Sequence, residues 1–461
     1  MSKEVERLKN FRNELNAVSP SFCLAKWLQV TLHLHTGTNH SCHHPTTHKT
    51  PLEELKNNPS ALHNTEYKKQ QRKMMLEGIR PKECQYCWNI EDLKEDLLSD
   101  RIMKSGDTWA RDKIAEIAQY NGNENINPTY LEVSFSNVCN FKCSYCSPTY
   151  SSRWREEIET NGPYKTSNQY NNLEWLQKTG DLPYHHKEHN PYVEAFWKWW
   201  PDLIQSLQVI RVTGGEPLLD DNTFKIIDYL IDNGIFNLKE LAINTNCNAP
   251  DKIMNKLIDK LLILEKKYPD LQLRIYTSAE GYGKQAEYSR YGMDFVKWQS
   301  NVISLLQKIE TLKIVVMATL NVFSLPSIEL LMEWVNEVKR ANINELRKVP
   351  ITIDTSILRW PRHLNISILP EHLVSYLENT LDKMTLLQEG KNGNNYYYGF
   401  FDFEIEKMKR AIEFMKVGPN KDEHIDRDVA LNDLKIFIQE YDRRRGTCFE
   451  TTFPEYNGIF F

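Results

Sequence analysis

No run of about 18 apolar residues occurs anywhere in the 461-residue chain, and no charged, apolar and small-residue leader opens it. The expectation is a chain that is neither exported nor anchored in a membrane. Basic residues are not in excess either: 57 Lys and Arg stand against 62 Asp and Glu, a formal net charge of −5, so no global signature for nucleic acid is present. There is no internal repeat. Disulfides are not expected, because the nine cysteines cluster at metal-ligand spacings, which points to a reducing cytoplasm.

What is there begins with Cys139, Cys143 and Cys146 in the run VCNFKCSYCSP. Scattering nine cysteines at random would give about 0.003 such CxxxCxxC triplets per chain, so accident is a poor account of this one. Three thiolates are one fewer than a four-iron cluster has irons to ligate. A zinc site is the rival, since thiolates with a CxxC step also suit Zn²⁺. Before the triplet, Leu131–Phe135 is an apolar run of strand length; after it, Ser147-Pro148 predicts an N-cap followed by a first-turn proline.

A second apolar strand, Leu207–Val212, runs into Thr213-Gly214-Gly215-Glu216-Pro217. Paired glycines let a backbone approach a ligand closely, and the carboxylate behind them can receive a cationic amine; by itself the string also suits an ordinary turn. Further strands are expected at Leu238–Ile243, at Leu271, Leu273 and Ile275, at Leu312–Leu320 and at Ile351–Ile357. Helical patterns fill the gaps: Phe224 to Ile231, stopping at Gly234, then Ile253 to Leu261, Phe295–Ile309 and Ile328–Val338. Strands alternating with helices predict an α/β fold with a parallel sheet curled into a partial (β/α)6 barrel, its motif residues at the carboxyl ends of strands.

With these motifs the chain resembles the radical S-adenosylmethionine (radical SAM) superfamily, whose CxxxCxΦC loop holds a [4Fe–4S] cluster with an open iron chelated by SAM. The resemblance implies reductive cleavage of SAM to a 5′-deoxyadenosyl radical that abstracts a substrate hydrogen, in a TIM-like barrel. It places Tyr145 at the aromatic position, Gly214, Gly215 and Glu216 on the SAM amino group, and Asn244 and Asn246 at the ribose, although Cys247 stands where a glycine is usual. Ser278 and Arg290 match a serine and an arginine that hold the SAM carboxylate, and guanidinium suits a carboxylate through paired hydrogen bonds. Strand-end turn chemistry is the other reading of the two asparagines, and a solvated charge that of Arg290.

Four more cysteines precede the barrel: Cys23, Cys42, Cys84 and Cys87. Alternation through Leu28, Val30, Leu32 and Leu34 up to Gly37 predicts a hairpin. Thirteen residues separate Cys23 from Gly37 and four separate Gly37 from Cys42, a spacing similar to the opening of the SPASM and twitch domains of radical SAM enzymes, which bind an auxiliary [4Fe–4S] cluster. Two departures are plain: the domain is N-terminal, and Lys26 stands at the place of a proline. Zinc is a second reading, with His33, His35, His40, His43, His44 and His48 crowded around Cys42, although these histidines read better as exposed hairpin and loop residues, and a site without metal is the third.

The expected organisation is an auxiliary-cluster domain at 1–105, a linker at 106–127, the partial barrel at 128–360 with an insertion at 161–200, and a C-terminal helical extension and tail at 361–461. That extension is expected to hold helices at Pro370–Leu387 and near Phe403–Met415, with a Gly/Asn/Tyr loop at Gly390–Tyr398 between them. Phe196-Trp197-Lys198-Trp199-Trp200 reads as helix packing before it reads as a substrate platform. Cys247 could donate a hydrogen atom or be structural, and Cys448 stays unassigned; Arg443, Arg444 and Arg445 could clamp an anion or face solvent. No catalytic residue beyond the cofactor sites is assigned. The resemblance implies a peptide or protein substrate and a flavodoxin- or ferredoxin-type reductant, while the charge balance and the lack of a long apolar run lead us to expect no nucleic-acid or membrane partner. A small molecule or sugar as substrate is the alternative, and a metal-stabilised binding or electron-transfer protein a third.

Overall fold

The structure is a computed structural model describing residues 3–93, 97–388, 399–418 and 426–460. The Gly390–Tyr398 loop lies outside the described residues. Eleven strands are formed among the described residues: β1 (Gln29–His33), β2 (Thr38–His40), β3 (His48–Lys49), β4 (Tyr130–Ser134), β5 (Lys142–Cys143), β6 (Val209–Thr213), β7 (Glu240–Thr245), β8 (Gln272–Ser278), β9 (Arg290–Tyr291), β10 (Lys313–Leu320) and β11 (Ile351–Ile357). Nine of them make one mixed sheet in the order β11-β10-β8-β7-β6-β4-β1-β2-β3, and β5 pairs with β9 apart from it. Pairing is parallel for β1–β4, β4–β6, β8–β10 and β10–β11, and antiparallel for β1–β2 and β2–β3. The protein is thus α/β with a large, mostly parallel sheet.

The chain divides into two compact units. The first comprises Met1–Ser136, Tyr184–Gly214 and Asp232–Ala242; the second Asn137–Pro183, Gly215–Ile231 and Ile243–Phe461. In the first unit β1 does not stop at a hairpin with β2. It also lies in register beside β4, Val30 against Leu131 and Leu32 against Val133, so the amino-terminal segment extends the sheet. The turn between β1 and β2 needs glycine twice over: Gly37 has φ +71°, and a Cβ there would overlap the ring of Tyr192. The helix Pro191–Leu203 buries Phe196, Trp199 and Trp200, and Phe196 meets Phe135 edge-on with 5.0 Å between ring centres, so this aromatic run packs the core. Around the amino-terminal cysteines, Phe22, Trp27, Trp88 and Trp109 form a core of their own.

In the second unit, helices cover strands as the apolar periodicity requires. Phe295–Lys308 buries Phe295, Trp298, Val302, Leu305 and Leu306; Ile328–Ala341 buries Leu331, Val335 and Val338. The extension adds Val374–Leu386, Asp402–Val417 and Arg427–Arg445. The helix after the cysteine triplet starts later than Ser147-Pro148 suggests. It spans Ser152–Asn161, and Ser151 is the cap, its hydroxyl accepting from the Trp154 amide. Pro148 instead closes a turn whose carbonyl accepts from the Asn137 side chain at 2.9 Å, which keeps the loop folded back on itself.

Candidate functional site

The cysteine loop is short, half-buried and tied at each end. Cys139 Sγ accepts from the Phe141 amide at 3.4 Å, the Cys146 amide donates to the Cys143 carbonyl at 3.0 Å, and the Trp154 indole donates to that same carbonyl at 2.8 Å. Burial raises all three thiols above their ordinary range, Cys146 to about 12, and neighbouring cysteines add to the shift at Cys139 and Cys146. Such shifts favour the neutral thiols, and the thiolate form at these positions needs a neighbouring cation to compensate it. Among the described residues no group of three or more His, Cys, Asp or Glu side chains is placed to hold a metal ion.

The Gly-Gly-Glu turn is fastened to the start of this loop. The Glu216 amide donates to the Val138 carbonyl at 2.7 Å, and a Cβ on Gly215 would stand 2.7 Å from the Asn137 carbonyl oxygen and closer still to that of Val138. Gly214 has φ +143°, a conformation side chains other than hydrogen disfavour. The Glu216 carboxylate is buried and accepts from Leu218 N (3.1 Å), Thr245 Oγ1 (2.7 Å) and Asn246 N (2.6 Å). Burial dominates these donors and lifts its pKa to about 7. A carboxylate accepts about four hydrogen bonds, so capacity for one further donor, such as a ligand amine, remains.

Asn246 continues the network, its side chain donating to Asn140 Oδ1 at 2.7 Å while Asn140 donates to the Asn248 carbonyl at 3.1 Å. Cys247 between them is fully buried with φ +51°. Asn244 is half-buried within β7, and the Asn246 side chain is in contact with the cysteine loop at Asn140.

Arg290 reaches the triplet through the β5–β9 pair, which sets it opposite Cys143. Its Nη1 lies 3.6 Å from Cys143 Sγ, its Nε donates to Glu280 at 2.7 Å, and its Nη2 meets the Tyr145 hydroxyl. Arg290 is buried, not a solvated charge. Glu280, which sequence reading left unassigned, is the centre of this group: it is buried and also accepts from Ser289 Oγ at 2.8 Å and from Tyr145 at 3.3 Å. A carboxylate compensates a buried guanidinium, but two acids, Glu280 and Glu287, lie between Ser278 and Arg290, and the sequence does not say which of them pairs. Ser278 itself ends β8, half-buried, with its backbone beside Met317.

The basic run at the end of the extension neither clamps an open site nor simply faces water. Arg445 is fully buried, pairs with Glu157 at 3.1 Å, donates to the Lys142 carbonyl at 2.6 Å and stacks 3.7 Å from the Tyr441 ring centre, which braces β5 from behind. Arg444 covers the Tyr164 ring at 4.1 Å, while Arg443 is exposed and pairs with Glu440. Cys448 is exposed.

In the first unit Cys23, Cys42, Cys84 and Cys87 line one small cavity together with Lys26 and Arg101. Burial pushes Cys42 up to about 11 and Cys84 and Cys87 to about 12, with the other thiols of the group contributing. Lys26, the departure from proline, is buried and ion-paired with Glu83. The histidines are not a set of exposed loop residues: His35 and His40 are buried, and His33 is half-buried, its Nε2 3.2 Å from that of His40. His43 is exposed, and His44 stacks on Tyr86 with ring centres 3.6 Å apart.

No protein-family model matches the chain, and no curated protein matches it in sequence. Among solved structures it is similar to one titled "Crystal structure of Streptococcus suis SuiB", at 13% identity and a TM-score of 0.33, over 68% of this chain. The match spans 58% of that protein's length. A likeness this slight carries no argument about function. No helix among the described residues is long and apolar enough to cross a membrane.

Proposed function

We propose that the protein is a radical SAM enzyme in which Cys139, Cys143 and Cys146 hold a [4Fe–4S] cluster that binds SAM. Cys23, Cys42, Cys84 and Cys87 hold a second, auxiliary cluster, and the substrate is a peptide or protein. The observation that carries this reading is the fastening of Gly215 and Glu216 onto the backbone of Asn137 and Val138, which joins two motifs about 75 residues apart at one loop. When bound, the cluster and SAM supply reductive cleavage and hydrogen abstraction, chemistry that belongs to the cofactor.

The chain's residues have narrower tasks. Glu216 would receive the SAM amino group with its remaining acceptor capacity, Gly214 and Gly215 would hold the turn that presents it, Asn246 and Asn244 would contact the ribose, and Tyr145 would pack on the nucleoside. Arg290 spends one N–H on Glu280, one on Tyr145 and one on Cys143 Sγ; two of its five N–H groups remain for the SAM carboxylate. The burial of Glu280 and Arg290 keeps water from this end of the loop.

In this reading β4, β6, β7, β8, β10 and β11 are the six strands of a partial barrel over 128–360, with an insertion at 161–200. Residues 1–105 form a twitch-like domain, 106–127 a linker and 361–461 a helical extension. A flavodoxin- or ferredoxin-type protein supplies electrons.

The test is anaerobic reconstitution followed by reduction in the presence of SAM, with 5′-deoxyadenosine measured. Product that disappears when Cys139, Cys143 and Cys146 are replaced by alanine is the expected result. Bound zinc and no deoxyadenosine after full reconstitution would overturn the reading.

A further inference from the structure

A second cavity in the unit that carries the cysteine triplet has a composition the cofactor does not explain. It holds about 610 Å³, within the range of ligand pockets, and Tyr145 forms part of its wall. Of the residues that would meet SAM, only Tyr145 lines it; Glu216, Asn246 and Arg290 do not. Three of its wall residues are large aromatics left unusually open: Tyr150 at 49%, Trp175 at 50% and Trp360 at 47% exposure. Isolated exposed aromatics are ordinary, but three converging on one concavity indicate a surface for binding.

The charge of that wall is one-sided. Among the described residues Asp181 is the only acid lining the cavity, and no lysine, arginine or histidine lines it; the rest is hydroxyl, amide and apolar. Asp181 is positioned, since one carboxylate oxygen accepts from Thr179 Oγ1 at 2.6 Å and its amide donates to the Leu176 carbonyl at 2.9 Å, just past the helix Leu173–Thr179 that presents Trp175. The opposite side is equally set: Ser167 donates its amide to Asp433 at 2.8 Å, and buried Tyr170 meets Trp360 edge-on at 6.5 Å. Trp360 already has the Arg362 guanidinium 5.7 Å from its ring centre, so its indole sits in cation contact within the fold.

An anionic ligand would meet a carboxylate and, among the described lining residues, no basic side chain. A purely apolar one would leave Asp181 uncompensated. A long side chain ending in a cation satisfies both features, its alkyl stem along the rings and its charge at the acid. We propose that this cavity binds a lysine or arginine side chain of the peptide substrate, with Asp181 receiving the cation and Trp175 and Tyr150 flanking the stem. The inference rests on the peptide-modifying reading of the protein and adds to it a residue preference and a place.

The test measures binding without turnover. Reconstituted full-length protein is titrated calorimetrically, under anaerobic conditions, with heptapeptides of glycine and serine carrying one central lysine, norleucine or glutamate. The lysine peptide is expected to bind at least tenfold more tightly than the norleucine peptide, in a salt-sensitive manner, and the glutamate peptide not at all. Asp181→Asn should erase the lysine preference, Trp175→Ala should weaken lysine and norleucine peptides together, and Trp175→Phe should restore most of the loss. Equal binding of the three peptides, no binding of the lysine peptide, an undiminished preference in Asp181→Asn, or displacement of the peptide by SAM would each overturn the proposal. Failure of the enzyme reading is distinguishable, because it appears as absent 5′-deoxyadenosine in the unsubstituted protein whatever the peptides do.

Discussion

Arg290 faces Cys143 across a two-residue antiparallel ladder, its guanidinium Nη1 3.6 Å from the thiol sulfur and its Nε on buried Glu280. The ladder couples the loop that carries the triplet to the segment after β8. Removing Glu280 would leave a buried guanidinium without its carboxylate, which costs about 3–5 kcal/mol. Glu280→Ala is therefore expected to lower the urea midpoint of the metal-free protein strongly, and Glu280→Gln less so. A variant as stable as the parent would show that the pair does not hold the ladder.

Gly215→Ala tests the fastening of the two motifs. The new Cβ would press on backbone carbonyl oxygens of Asn137 and Val138, which cannot swing aside as a side chain end can. The cysteine loop must shift, and iron bound by the reconstituted protein is expected to fall while the iron attributable to the amino-terminal cysteines stays. Elemental analysis of the purified variant reads this directly.

Glu216 gives a pH signature. Its folded pKa of about 7 lies above the ordinary carboxylate value of 4.5, so between those values the folded state binds a proton that the unfolded state has released. Stability from this group is complete below about pH 4.5, declines as pH rises toward 7 and is flat above, a span of about 3 kcal/mol. Glu216→Gln is expected to remove that decline, seen as a flatter plot of unfolding free energy against pH for the metal-free protein. SAM, which brings a cationic amine, should stabilise the parent more at pH 8 than at pH 6.

The three arginines at the end of Arg427–Arg445 should separate cleanly. Arg445→Met removes the partner of buried Glu157 and is expected to cost about 3 kcal/mol, softened because Lys142 also pairs with Glu157. Arg443→Ala, at an exposed site, should leave the thermal midpoint unchanged. Comparable losses at both would contradict the bracing role of Arg445.

The strands were legible because apolar runs of strand length ended in glycine, asparagine or serine; β10 and β11 lie where the runs at 312–320 and 351–357 put them. The Ser152–Asn161 helix was misread because serine before proline is a good helix start, yet Asn137 captures the Pro148 carbonyl and holds that segment as a turn. The pairing of β1 with β4 was invisible, since its partner is about 100 residues away and local alternation fits a hairpin equally well. Arg445 was misjudged for a related reason: three consecutive arginines look solvated, and only the fold brings Trp154, Glu157 and Tyr441 around one of them. The motif residues could be named from sequence because their spacing is local, whereas Glu280 and Asp181 depend on burial and on what stands opposite.

Whether the triplet holds a cluster that binds SAM is decided by electron paramagnetic resonance of the anaerobically reconstituted, reduced protein, recorded with and without SAM. The expected result is a [4Fe–4S]⁺ component whose spectrum changes on adding SAM and which is lost when Cys139, Cys143 and Cys146 are replaced by alanine. A cluster signal indifferent to SAM, or one that survives those replacements intact, would contradict it.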